Sequence, residues 1–388
     1  MSKMLKPTVL SLSLLTIIST SAISPALGEI SDYFSSADRF MIQLVAVIHA
    51  LAIVPSLFFA SWLTSIFSKK KVLLAGLAVF AVAGMGAVFA NSIFSLLFFR
   101  IFLGIGLGMV IPFSTALISD FFDGEEKERM MGLSSSFNML GAMVALTCSG
   151  YLAMISWRLP FLIYGVGIPV LILNLIYLPD VFQDRGLEKT VKAAIPGRVY
   201  PVAGLMFIFC MIFFILTPTM ALFLRDNSLG DARMAGLAIS FSTIGGFFSG
   251  FSLPKTRKLT GKLFFPIMLA IMSMGFWFLY LSSVLGIVFL GSAIIGFANR
   301  SIFPVFFLHA TRDISREQSV QVTAILSAMI YVGQFTAPIF QKMVGFVFHD
   351  SSSRFLYLFV ALLTTVTAVA LVTHYIFKRQ RELQYSNK

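Results

Sequence analysis

The sequence predicts an all-α membrane protein: twelve transmembrane helices in two pseudo-symmetric six-helix bundles. Three observations carry that expectation. Apolar segments about twenty residues long recur along the chain, each the length of a bilayer crossing at ~1.5 Å rise per residue. The composition, 58% hydrophobic and 12% charged with a mean hydropathy of +0.91, exceeds what a soluble domain hides from water. Landmarks of the first half also return in the second at an offset of roughly 193 residues: Pro25 as Pro218, Asp38 as Asp231, Lys69 as Lys262, Gly104 as Gly296, Pro112 as Pro304, Glu125 as Glu317 and Gly141 as Gly333.

Taken in order, the expected spans of the N-terminal bundle, residues 1–178, are 8–27, 40–62, 72–90, 93–118, 131–154 and 159–178. A polar linker, 179–201, follows. The C-terminal bundle, 202–388, is expected to cross at 202–224, 234–253, 263–281, 284–308, 320–346 and 355–377 before a short tail. With Lys3 and Lys6 ahead of it and Ser24-Pro25-Ala26 behind, the first span looks like a cleavable signal peptide. Its counterpart at 202–224 makes it an integral part of the repeat instead, because its removal would leave five helices facing six.

Charge fixes the expected orientation. With a cytoplasmic N-terminus, 21 of the 29 lysines and arginines fall on the cytoplasmic side, six fall on the other, and Arg100 and Arg300 lie inside spans. The positive-inside rule then places both termini and the linker in the cytoplasm. The net charge of +12 is not gathered into a groove-binding patch, so no nucleic-acid partner is expected. Cys148 and Cys210 lie in apolar runs and are expected as small buried residues, not as a disulfide.

The run Arg100-Ile-Phe-Leu-Gly104-Ile-Gly106-Leu-Gly108, followed by Pro112 and an acidic-basic loop from Asp120 to Arg129, resembles the fourth-helix motif of the major facilitator superfamily, R-x-x-x-G-x-G-x-G. Arg100, Gly104 and Gly108 recur every four residues and share a helix face on which absent side chains let another backbone approach. The resemblance implies the major facilitator fold, with Arg100 facing a central cavity and handling protons or substrate. Two other motifs are worn. Lys69, Lys70 and Lys71 keep the basic cluster of the family's second-to-third-helix latch, but serines (Ser61, Ser65, Ser68) replace its glycines and aspartate. The segment from Gly141 to Gly150 lacks the proline of the antiporter motif, and Thr16 stands where many drug exporters have an aspartate.

All seventeen acidic residues fall in loops, tails or span ends, so no carboxylate is expected near the midplane. A desolvated cation without such a partner costs several kcal/mol or more. Arg100 and Arg300 give the interior a positive bias suited to neutral or anionic substrates. Arg300 lies about sixteen residues into its helix, roughly 24 Å, and Arg100 only about seven, roughly 10 Å. Arg300 either binds substrate or is satisfied by helix-end carbonyls and cytoplasmic water near Asp313. His49, near the membrane middle, either takes a protonation role or is a neutral histidine bonded between helices. Thr16, Thr20, Gln43, Asn138, Asn299, Tyr331 and Gln334 complete the candidate pocket; each is also readable as interhelical glue worth ~0.6 kcal/mol. Gly245, Gly246 and Gly250 join the fourth-helix glycines as candidate sliding contacts.

No nucleotide-binding loop, H-E-x-x-H or metal-spaced Cys/His set occurs. No cofactor, metal or catalytic residue is expected, and the chain is not expected to be an enzyme. The pattern is most similar to bacterial drug and metabolite exporters of the superfamily. That implies a monomeric, inner-membrane, alternating-access transporter, proton-coupled and exporting a small amphipathic neutral or anionic compound. An importer or facilitator of an organic anion or sugar is the first alternative, and a transport-inactive membrane sensor or scaffold the second.

Overall fold

The computed structural model describes residues 4–180 and 195–386; the linker residues Arg185, Lys189 and Lys192 lie outside them, as do Lys3 and Lys388. The N-terminal half consists of α1 (Leu5–Ser21), α2 (Leu27–Tyr33), α3 (Arg39–Thr64), α4 (Lys69–Gly86), α5 (Ile93–Phe121), α6 (Gly124–Ile155) and α7 (Gly167–Tyr177). The C-terminal half consists of α8 (Val199–Phe213), α9 (Leu216–Asp226), α10 (Ala232–Thr260), α11 (Phe264–Leu281), α12 (Leu285–Ala310), α13 (Arg316–Phe348) and α14 (Ser353–Ser386). Fourteen helices make twelve crossings because the first and seventh crossings are each broken in two. A short 3-10 turn, Ser24–Ala26, separates α1 from α2 and contains Pro25. Pro218 occupies the first turn of α9, where the N–H it lacks would be unpaired in any case. The expected uninterrupted spans at 8–27 and 202–224 are therefore corrected to jointed ones, which run on to Tyr33 and Asp226. Proline's missing donor and its clash with the preceding turn are the cause.

Helix starts follow local chemistry. Asp38 caps α3 by accepting from the Phe40 N–H at 3.2 Å, and its repeat counterpart Asp231 caps α10 by accepting from the Arg233 N–H at 2.9 Å and the Met234 N–H at 3.2 Å. Reciprocal capping boxes open α5 at Ser92 and α13 at Ser315. Ser68 begins α4, its hydroxyl 3.5 Å from the Lys71 N–H.

Within each half the repeat extends to atomic contacts. A Cβ on Gly104 would lie 2.3 Å from the His49 carbonyl oxygen, so α5 lies directly against the α3 backbone. A Cβ on Gly296 would lie 1.8 Å from the Ser242 carbonyl oxygen, in the equivalent pair α12 and α10. Close helix approach in a membrane depends on such small residues, because lipid supplies no hydrophobic drive between helices. The two halves meet along α3 with α13 and along α6 with α10. Cys210 is buried as expected, whereas Cys148 is exposed, because it lies on a part of α6 whose neighbours Val144 and Tyr151 are also exposed. An even number of crossings brings the start of α1 and the end of α14 to the same face of the bundle.

Candidate functional site

A cavity of about 390 Å³ lies between the halves. Six of the residues singled out in the sequence line it: Thr16 from α1, Asn138 from α6, Asn299 and Arg300 from α12, and Tyr331 and Gln334 from α13. Thr16 donates to the Asn138 side-chain oxygen at 2.8 Å, tying α1 to α6 at the cavity wall. The amide oxygens of Asn299 and Gln334 are buried without a hydrogen-bond partner among the described residues. Buried acceptors of this kind are rare, and these two are available to an N–H or O–H group of a bound molecule. Phe213, Phe214 and Phe303 add aromatic wall, and no carboxylate among the described residues lines the cavity.

Arg300 is the dominant charge. Its stem rests on Gly246, where a Cβ would come within 2.6 Å of the arginine Cγ. The residue is exposed although it lies well inside α12, because it opens into the cavity. Among the described residues its guanidinium has neither hydrogen-bond partner nor counter-charge, and Asp313 pairs with Arg312 at 3.3 Å.

Arg100 and His49 lie elsewhere. Arg100 is 1% exposed and does not line the cavity, which corrects the position implied by resemblance. Its Nε donates to the Val45 carbonyl at 2.7 Å, Nη1 to the Tyr164 hydroxyl at 2.6 Å, and Nη2 to the Ser19 and Ala46 carbonyls, each at 3.3 Å. Nη2 also lies 2.9 Å from His49 Nδ1. A guanidinium has only donors, so Nδ1 is the acceptor and the imidazole is the Nε2–H tautomer. That Nε2 is buried and unpartnered among the described residues. The cluster joins α1, α3, α5 and the 3-10 segment Leu159–Val166. It is built as an internal tie.

Gln43 is also away from the cavity: its amide donates to the Gln341 side-chain oxygen at 2.7 Å, which accepts from Thr219 as well, at 3.1 Å. The Thr20 side chain lies outside the described ones. Lys69 pairs with Asp120 at 2.7 Å, joining the start of α4 to the end of α5, while Lys70 is half-buried and Lys71 exposed. Gly106 faces α4, Gly108 faces α3, Pro112 lies inside α5 and Gly141 is buried in α6.

Beyond the Gln43–Gln341 layer, ion pairs close the face opposite the termini. Arg39 pairs with Asp226 at 2.6 Å, Asp38 with Lys342 at 2.8 Å, and Asp32 with Arg225 at 2.9 Å. Arg39 also donates to Ser353, and Arg225 to the Gly28 carbonyl. Every one of these contacts crosses between halves. The hydrogen bond and charge of Lys342 hold the Asp38 carboxyl below its ordinary value, and those of Arg233, within the same half, do so for Asp231. On the terminus face, no ion pair among the described residues joins the halves. Sequence reasoning missed Tyr164, Gln341 and these pairs; repeat position was the one available signal, since Asp38 and Asp231 are counterparts.

Residues 9–338 match the family model described as Major Facilitator Superfamily. A protein TsgA homolog of Buchnera aphidicola is 30% identical over 126 residues, 32% of each chain. The cephamycin export protein CmcT of Amycolatopsis lactamdurans is 29% identical over 194 residues, 49% of this chain and 39% of that one. The matches thus span between about a third and two-fifths of these relatives' length. In fold, the crystal structure of the nucleoside transporter NupG superposes with a TM-score of 0.78 at 14% identity, covering 97% of this chain and 99% of that one.

Proposed function

Because the chain belongs to the Major Facilitator Superfamily, it is a membrane transporter, and we propose that its cargo is a small amphipathic organic compound bearing one negative charge, exported by alternating access. The observation that carries the reading is the unpaired Arg300 guanidinium facing a cavity that no carboxylate lines. A carboxylate or similar anion would meet the guanidinium in bidentate geometry. The apolar part of the cargo would stack on Phe213, Phe303 and Tyr331, and its donors would meet the Asn299 and Gln334 oxygens. A cation there would face a like charge in a low-dielectric site.

The bundles 1–178 and 202–388 would rock about this cavity, opening it alternately to each side. With both termini in the cytoplasm of a bacterial inner membrane, the sealed face is external and the cavity is poised to load from inside. An exported monoanion gains ~2.3 kcal/mol per 100 mV of inside-negative potential, so export can run on the charge of the cargo. Proton coupling, expected from the sequence, then rests on groups other than a cavity carboxylate. A monomer suffices, since the cavity is completed by one chain.

The test uses purified protein in liposomes with a clamped potassium-diffusion potential and a trapped pH dye. Aromatic carboxylates are compared with their neutral amides and with amine analogues. Potential-driven movement of the carboxylates, lost in Arg300→Gln, is the expected result. Movement of the amines alone would overturn the charge assignment. Dye signals accompanying carboxylates would restore proton coupling, and silence across the panel would favour the sensor reading.

A further inference from the structure

On the membrane-facing side of the C-terminal half, away from the substrate cavity, α8, α11, α12 and α14 enclose an apolar groove of about 430 Å³. Its floor is buried: Phe209 is 4% exposed, Phe306 6% and Met272 0%. The Phe306 ring packs 5.6 Å from that of Phe209 and 5.8 Å from that of Phe265, centroid to centroid. Its rim is open, with Leu205 56% and Ile208 47% exposed. Apart from His309 at the terminus-side end, its polar groups are already satisfied, as Thr364 and Thr367 each donate to a carbonyl of their own helix at 2.7 Å. Such an interior accepts hydrocarbon and offers nothing to a polar molecule. From Val202 to Ile212 the groove runs roughly 15 Å along α8, half of a ~30 Å hydrocarbon core, and so spans one leaflet.

At the terminus-side end, a basic residue flanks or belongs to each of the four helices, and His309 is the one among them that lines the groove. Arg198 stands one turn before Val202 and donates to the Arg312 carbonyl. Lys262 stands three residues before Phe265, His309 lines the groove itself, and Lys378 lies two turns beyond Leu371 on the same stripe of α14. Positive charge is general on this face, but here it is joined to a slot for a chain. Two other apolar grooves, one at Phe98 and Phe102 and one at Pro55 and Phe59, have no ionisable side chain in their lining.

We propose that this groove is a binding site for an anionic phospholipid of the terminus-side leaflet, with one acyl chain in the slot and the headgroup phosphate among Arg198, Lys262, His309 and Lys378. The proposal rests on the membrane reading and is independent of the cargo. Each basic residue near an anionic surface adds to the attraction, so a three-residue loss predicts a change of at least tenfold.

The full-length protein is purified and titrated with dioleoyl phosphatidylglycerol or dioleoyl phosphatidylcholine, with lipid retention read by native mass spectrometry and the thermal midpoint alongside. Phosphatidylglycerol is expected to be retained at least tenfold better. Arg198→Gln/Lys262→Gln/Lys378→Gln should bring the two lipids level, whereas Thr367→Trp, which fills the slot, should weaken both with the basic ring intact. Inorganic phosphate alone should leave the midpoint unmoved. Equal retention of the two lipids by the unaltered protein would overturn the proposal without any variant. Undiminished phosphatidylglycerol binding in both variants, or a shift with phosphate equal to that with lipid, would also overturn it.

Discussion

The two halves of this protein share one backbone plan and place their interior arginines in opposite circumstances. In the N-terminal half Arg100 is enclosed by three carbonyls, a tyrosine hydroxyl and an imidazole. Its repeat counterpart is Ser292, small and buried. In the C-terminal half the arginine stands eight residues further along the equivalent helix, at Arg300, where the N-terminal half has Gly108. The facing positions exchange sizes as well: Gly108 lies against Ile53, and Arg300 lies against Gly246, the counterpart of Ile53. A guanidinium whose three nitrogens all meet protein acceptors holds helices together. One left without partners beside a cavity is free to bind.

The contrast breaks most readily at Arg100. Arg100→Ala should destabilise the protein by on the order of 3 kcal/mol or more, since each buried acceptor left unpaired costs ~1–3 kcal/mol; thermal unfolding and membrane-inserted yield report it. Normal folding with loss of driven transport would instead return Arg100 to the handling role that resemblance implied. Arg300→Gln should leave stability within ~0.5 kcal/mol and reduce carboxylate transport roughly 10- to 100-fold, the worth of one charge-assisted contact. Retained transport of the neutral amide in that variant would sharpen the assignment.

Smaller effects test the repeat itself. Gly104→Ala and Gly296→Ala should each lower stability by ~1–3 kcal/mol through overpacking, because the added Cβ meets backbone in both. Gly246→Ala meets only the flexible Arg300 stem, so its thermal midpoint should hold while apparent affinity for the carboxylate falls. A large loss of stability in Gly246→Ala would contradict the view that the C-terminal arginine is loosely held.

The smallest effect separates Asp38 from Asp231, which cap equivalent helices but pair differently, one across the halves and one within its own. Both carboxyls are held below their ordinary value. Their contribution is therefore present above the unpaired value near ~3.9 and is lost as pH falls through the lowered one. Spin labels placed across the sealed face should move apart as pH falls through the lowered Asp38 value, and at neutral pH in Asp38→Asn. Asp231→Asn should leave that separation unchanged, and equal behaviour of the two would remove the distinction.

Much of the fold was legible because membrane helices obey a length rule and the repeat doubled each signal. The close approach at Gly104 and Gly296 follows from the glycines and their spacing. Polar residues in otherwise apolar helices, Thr16, Asn138, Asn299, Tyr331 and Gln334, pointed to the residues that meet in the cavity; the cargo they hold was not readable. Gln43 carried the same signal and lies in the seal instead, since an amide in a span satisfies a neighbouring helix as readily as a ligand. The ion pairs of the seal were invisible because their partners stand as far apart in sequence as Asp38 and Lys342.

By itself the sequence determined what depends on local chemistry: apolar spans of bilayer length, the prolines that joint two of them, capping aspartates and the glycines of close packing. Tertiary structure alone decided which arginine is tied to the protein and which stands unpaired at the cavity. The acceptors that fix Arg100 are backbone carbonyls of Val45, Ala46 and Ser19, and carbonyls carry no residue identity. A charge within a membrane is tied or free according to the atoms that folding brings to it, and those atoms leave no trace in the sequence.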